Sequence, residues 1–143
     1  MAVEWVFEPS TIDWAEMSVL YRIAPLGDKP PEHLQRAFTN SMFVCFLRED
    51  GVLIGAGRMV SDGVDVAYLC DVIVHPEHQG RGLGKAIVLK LREMCGAPDK
   101  ILLYSAPGKE GFYRKLGFRR MLTAMALFRD DERALRRGLV EGD

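Results

Sequence analysis

Between Val74 and Ile87 the chain reads VHPEHQGRGLGKAI, with Gly80, Gly82 and Gly84 at alternate positions. Glycine gives up side-chain packing in exchange for backbone freedom, so this spacing marks a backbone that something must approach closely. On its N-terminal side, Val64 to Val74 is a long run rich in valine, isoleucine and leucine. It reads as a buried strand ended at His75-Pro76, because proline cannot donate to a ladder and restrains the residue before it. On the other side Leu83, Ile87, Leu91 and Met94 or Cys95 recur at helical spacing until Gly96 and Pro98 stop the pattern. The loop therefore lies where a strand feeds a helix. The first helical N–H groups there have no intrahelical partner, which makes the junction a ready anion site.

Working outward, AVEWVFE (2–8) alternates apolar and polar and predicts a strand with one buried face. Ser10 and Asp13 offer a capping-box-like start to a helix with Ile12, Met17, Leu20 and Ile23 roughly on one side. Pro25, Gly27, Pro30 and Pro31 interrupt it, and PPEHLQRAFTN resumes as a second short helix, so the two form a candidate lid. Met42 to Leu47 and Val52 to Val60, joined by Asp50-Gly51, and then Val64 to Val74 after Asp62-Gly63, read as successive antiparallel hairpins. Beyond the long helix, KILLY (100–104) predicts a buried strand reached by a right-handed crossover. A short helix over Lys109 to Lys115 and a last strand over Arg120 to Phe128 follow, and DDERALRRGLVEGD reads as a charged, solvated tail that starts helical. The class is α/β with a mixed sheet.

With 143 residues, 48% of them hydrophobic, the chain is expected to be one domain over 1–143. A formal charge of −1 offers no global field for nucleic acid or an anionic membrane surface, so neither is expected as a partner. Cys45, Cys70 and Cys95 are scattered in apolar stretches, which favours reduced buried thiols over a disulfide framework or a zinc site, and no metal is expected. The first residues carry Glu4 and Glu8 and lack the basic and apolar regions of a signal peptide. No window reaches the roughly 20 apolar residues of a membrane span. The expected setting is cytoplasmic.

Three anion-binding signatures compete for the loop. A Walker A loop would need glycine where Gln79 stands and a hydroxyl where Ala86 stands. A dinucleotide fingerprint needs G-x-G-x-x-G, but the glycines run G-x-G-x-G and follow several strands. Gln79, Gly82 and Gly84 match Q/R-x-x-G-x-G/A in full, and Phe112, Tyr113, Leu116, Gly117 and Phe118 supply F-Y-x-x-L-G-F downstream. On these two motifs, over roughly Tyr68 to Phe118, the sequence closely resembles the GNAT superfamily of acyl-CoA-dependent N-acetyltransferases.

That resemblance implies a mostly antiparallel central sheet with a parallel, splayed strand pair and flanking helices. It also implies acetyl-CoA as co-substrate. The pyrophosphate would rest on the loop of Gln79, Gly80, Arg81, Gly82, Leu83, Gly84 and Lys85, with Arg81 and Lys85 neutralising phosphates. The strand at Val72, Ile73 and Val74 would present backbone groups to the pantetheine arm and polarise the thioester carbonyl. Ser105 stands where the family often has an asparagine facing the pantetheine, and Phe112 belongs to the cofactor side of the aromatic motif. Tyr113 occupies the family's general-acid position. A phenol with a pKa of about 10 stays protonated at neutral pH and can give its proton to a departing thiolate.

The acceptor amine must lose a proton to react. Asp71 and His75 are the nearest titratable residues on the strand, sharing one face by period 2. Of the two, Asp71 is the assigned base, with water sharing the task, whereas Tyr68 cannot act as a base near pH 7. Within the superfamily the text YLCDVIVHPEHQGRGLGKAIV looks most like the arylalkylamine or serotonin N-acetyltransferase branch. Trp14, Tyr21 and Phe38 lean the acceptor towards an amine with an aromatic body. The alternatives are a protein or peptide amine as acceptor, or a non-catalytic acyl-CoA-sensing module; a homodimer is admitted.

Overall fold

The computed structural model describes residues 2–142, and the chain resolves into two compact units, one up to Leu103 and one from Tyr104 onward. In the first, five strands lie side by side in chain order: β1 (Glu4–Val6), β2 (Phe43–Glu49), β3 (Val52–Ser61), β4 (Val66–Val74) and β5 (Lys100–Leu102). The first four are antiparallel, and β5 is parallel to β4. This is the mixed sheet with one parallel pair that the sequence implies. Two turns set its registers. Asp50 and Gly51, both at positive φ (53° and 76°), make the two-residue β2–β3 connection. At the β3–β4 connection Asp62 Oδ1 accepts the N–H groups of Val64, Asp65 and Val66 at 2.9, 2.8 and 3.1 Å.

Helices α1 (Trp14–Ile23), α2 (Pro31–Thr39) and α3 (Leu83–Met94) belong to the same unit. Asp13 caps α1 by accepting from Ala15 N and Glu16 N, and Pro31 opens α2 where its missing N–H costs nothing. Met17, Leu20 and Tyr21 from α1 and Leu34 and Phe38 from α2 bury against Val44, Phe46, Ala56 and Ile73 of the sheet. The Phe38 ring sits 5.3 Å from Phe46 and 5.7 Å from Trp14. Fully burying one such aromatic contributes about 2–3 kcal/mol. The other face takes α3, which comes so close that a Cβ on Gly57 would stand 2.4 Å from Ile87 Cγ2. Glycine is required there by approach rather than by dihedral.

The second unit holds α4 (Glu110–Arg114) and α5 (Asp131–Arg136), the latter capped by Asp130 accepting from Arg133 N. The strand expected over Arg120 to Phe128 does not form. A strand exists only where a second one accepts its ladder, and side-chain alternation does not report that partner. In this segment Leu122, Met125 and Leu127 are 83, 98 and 100% exposed. β1 and β5 are also shorter than expected, three residues each.

Candidate functional site

β4 is paired with β5 only through Val66, Ala67 and Tyr68, opposite Lys100, Ile101 and Leu102. Beyond Tyr68 its outer edge has no ladder to β5, while its other edge stays paired with β3 to Val74. An antiparallel strand turns its backbone groups alternately to its two neighbours. His75 N donates to Ile54 O at 2.8 Å, and stepping back by two along the same register turns Ile73 towards β3 as well. The N–H and C=O groups of Val72 and Val74 therefore face the open edge. Those of Ile73 face β3, and its side chain is 1% exposed in the core, so Ile73 supports the edge from within. The pairing with β3 slips between Arg58 and Met59, leaving Cys70 as an extra residue in β4, at the point where the strand parts from β5.

The open edge runs directly into the glycine loop. Pro76–His78 is a short 3₁₀ turn in which His75 Nδ1 accepts from Glu77 N at 3.1 Å, so this histidine ends the strand. Gly80 and Gly82 follow at φ 81° and 77°, a conformation other residues rarely adopt, and nothing lies within 4 Å of where their Cβ atoms would be. Gly82 is the N-cap of α3 and supplies no side-chain cap, so the N–H groups at the start of the helix point outward unsatisfied by a side chain. Gln79 Nε2 reaches back to Val74 O at 3.3 Å, and Lys85 is exposed in the first turn. The positive end of a helix, a backbone stripped of Cβ atoms and an extended edge of free amides fit an anionic ligand with a long polar tail. Acetyl-CoA has that form.

Arg81 is already engaged. Its Nη2 lies 2.6 Å from Glu49 Oε2 and its Nη1 3.3 Å from Glu49 Oε1, with His78 Nδ1 2.7 Å from Nη1. The hydrogen bonds from Arg81 come first among the causes that hold the Glu49 carboxyl below the usual range.

On the face of the sheet covered by α1 and α2, Asp71 is half-buried in a polar network. Its Oδ2 accepts from Arg58 Nε at 2.6 Å and from Tyr21 Oη at 2.8 Å, and Arg58 Nη1 donates to Ser41 Oγ at 3.3 Å. Burial first, then the Asp71 charge, pushes the Tyr21 phenol far above its ordinary value. Burial opposes the Arg58 charge, but Asp71 beside it more than offsets this and raises the guanidinium's pKa. Tyr21 and Phe38, expected near an acceptor, are 2% and 0% exposed and serve the core. The network was missed in the sequence. Arg58, alone in an apolar strand, was its one signal, since a charge there requires a partner; Glu49 gave none.

In the second unit Tyr113 is half-buried, packed edge-on against Phe112 at 4.9 Å and Phe118 at 5.8 Å. Ser105 Oγ lies 3.4 Å from Glu110 Oε1, which also accepts from Gly108 N. Among the described residues no cluster of metal ligands is found, and no helix is long and apolar enough to cross a membrane.

The sequence model of the acetyltransferase (GNAT) family matches residues 10–118. A chloroplastic serotonin N-acetyltransferase 2 of Oryza sativa subsp. japonica is 41% identical over 95 residues, 61% of this chain and 46% of that protein. The chain spans between 39 and 64% of the length of three curated relatives it matches. In structure it is similar to an acetyltransferase of the GNAT family from Streptococcus pneumoniae, with a TM-score of 0.75 at 20% identity over 90% of this chain and 99% of that one. It is also similar to the PaiA N-acetyltransferase of Thermoplasma acidophilum in complex with coenzyme A, with a TM-score of 0.69 at 18% identity over 87% and 94%. The open edge of β4, the glycine loop at the head of α3 and the family match agree: the chain belongs to the GNAT acetyltransferase family.

Proposed function

We propose that the protein moves an acetyl group from acetyl-CoA directly to a primary amine of a small molecule, with arylalkylamines as the favoured acceptor class. The observation that carries the donor half is the free edge of β4 at Val72 and Val74 running into the positive-φ glycines before α3. In this reading the pyrophosphate rests on the N–H groups from Gly80 to Lys85, and the pantetheine arm pairs with Val72 and Val74 as a further strand would. Ser105 and Phe112 belong to the same cofactor. The coenzyme A complex of a protein of the same fold supports the donor. The acceptor class rests on the similarity to a serotonin N-acetyltransferase.

Chemically, the amine lone pair attacks the thioester carbonyl carbon while backbone N–H groups of the strand stabilise the charge gathering on oxygen. The carbon–sulfur bond then breaks and the thiolate takes the Tyr113 proton. With Oδ2 held by Arg58 and Tyr21, Asp71 in this reading orients the amine through Oδ1 and, through water, receives its proton. The three unpaired cysteines support a reducing, cytoplasmic setting. The test is coenzyme A release across arylalkylamines, aliphatic amines, amino acids and peptides. Arylalkylamines should give the highest kcat/KM, and Tyr113→Phe should lower kcat at least about 100-fold with little change in acetyl-CoA affinity. Binding of acetyl-CoA with no release from any amine would replace the enzyme by a sensing module.

A further inference from the structure

Glu49 stands at the end of β2, 32 residues from Arg81, and takes both terminal nitrogens of that guanidinium. Its side chain is only 15% exposed, against 39% for Arg81. Arg81 sits between Gly80 and Gly82, two positive-φ residues with open space where a Cβ would stand, so no side chain at either position packs the loop in place. A loop with two such glycines has many unfolded-like shapes to lose, and ordering it at the moment of binding would subtract from affinity. The Glu49–Arg81 fork, with His78 Nδ1 against the same guanidinium, fastens this segment to the sheet before any ligand arrives.

We infer that Glu49 is a positioning residue that holds the glycine loop in its anion-binding shape through Arg81. This rests on the donor site proposed above. The side chain of Arg81 is then a strut, and the loop contributes its backbone N–H groups to the ligand. A carboxylate beside a phosphate site repels the ligand, so removing its charge should tighten binding if electrostatics alone governs. If Glu49 orders the loop, removing it should weaken binding.

The experiment compares wild type, Glu49→Gln, Arg81→Glu and the double swap Glu49→Arg with Arg81→Glu. Each is measured for coenzyme A affinity by calorimetry, for kcat at saturating acetyl-CoA, and for amide hydrogen exchange of Gly80 to Leu83 without ligand. Glu49→Gln is expected to raise Kd about tenfold, leave kcat within twofold and speed exchange in the loop. Arg81→Glu should be worse, and the swap should recover Kd to within about threefold of wild type. Unchanged or tighter binding by Glu49→Gln, or a swap no better than Arg81→Glu, would overturn the inference and make Arg81 a direct phosphate contact. The exchange readout needs no ligand. A wild type that fails to bind coenzyme A therefore overturns the donor site alone, while unaltered loop exchange in Glu49→Gln overturns the strut alone.

Discussion

The two sides of β4 around residues 71 to 74 solve opposite problems within one strand. Towards the helices, Asp71 Oδ2 is bound by Arg58 and Tyr21, and Ile73 is packed away, so the charge of Asp71 is paired within the protein. Along the edge, Val72 and Val74 turn backbone groups to a place that β5 does not reach. Burying a charge is tolerable only when it is paired, whereas an open row of amides is useful only when something else completes it. The contrast separates residues that hold the strand in place from residues that bind with it. The first group should cost stability when changed and the second affinity.

Asp71→Ala is expected to have the largest effect, about 3 kcal/mol of stability, because it leaves the half-buried Arg58 guanidinium without its counter-charge and the buried Tyr21 hydroxyl without its acceptor. Thermal unfolding checks this as a fall in Tm of about 10 °C, and coenzyme A binding by the folded protein should change less than threefold. Gly57→Ala follows, at about 2 kcal/mol, since the new methyl meets the fully buried, β-branched Ile87 and α3 must move. On the binding side, Gly82→Ala places a Cβ at φ 77° and should cost only about 1 kcal/mol of stability while raising the KM for acetyl-CoA about tenfold. If Gly82→Ala lowered Tm as much as Asp71→Ala, the division between the two sides would fail.

Two smaller effects sharpen the buried side through titration. The Tyr21 phenol has its pKa raised in the fold, so its contribution is fully present below the unfolded value of about 10 and is lost as pH rises beyond it. Stability measured by urea between pH 9 and 11 should fall in the wild type, and Tyr21→Phe should flatten that slope. Burial pushes the Cys45 thiol up to about 12. Iodoacetamide at pH 8 should therefore leave Cys45 unmodified in the native protein and label it only after unfolding.

The parts of this fold that were legible in the sequence are those that local chemistry decides. Asp50-Gly51 and Asp62-Gly63 announced their turns, Asp13 its helix, and Leu83, Ile87 and Leu91 the buried face of α3. The glycine loop was legible because its positive φ values leave a mark in residue type. What escaped depends on partners remote in sequence. Nothing in MLTAMALF says that no strand will pair with it, and nothing at Glu49 points to an arginine 32 residues later. Tyr21 and Phe38 are expected beside an acceptor but lie in the core, because aromatic side chains suit either place and only packing decides between them. Arg58 is the instructive intermediate: a lone charge in a buried strand demanded a partner without naming Asp71.

The claim that the open edge of β4 and the head of α3 form one acetyl-CoA site is tested most directly by titrating ¹⁵N-labelled protein with coenzyme A. The largest amide shifts are expected at Val72, Val74, Gly82, Leu83, Gly84 and Lys85, with Ile73 between them nearly still. Equal shifts along 72–74, or largest shifts away from the strand and loop, would contradict it.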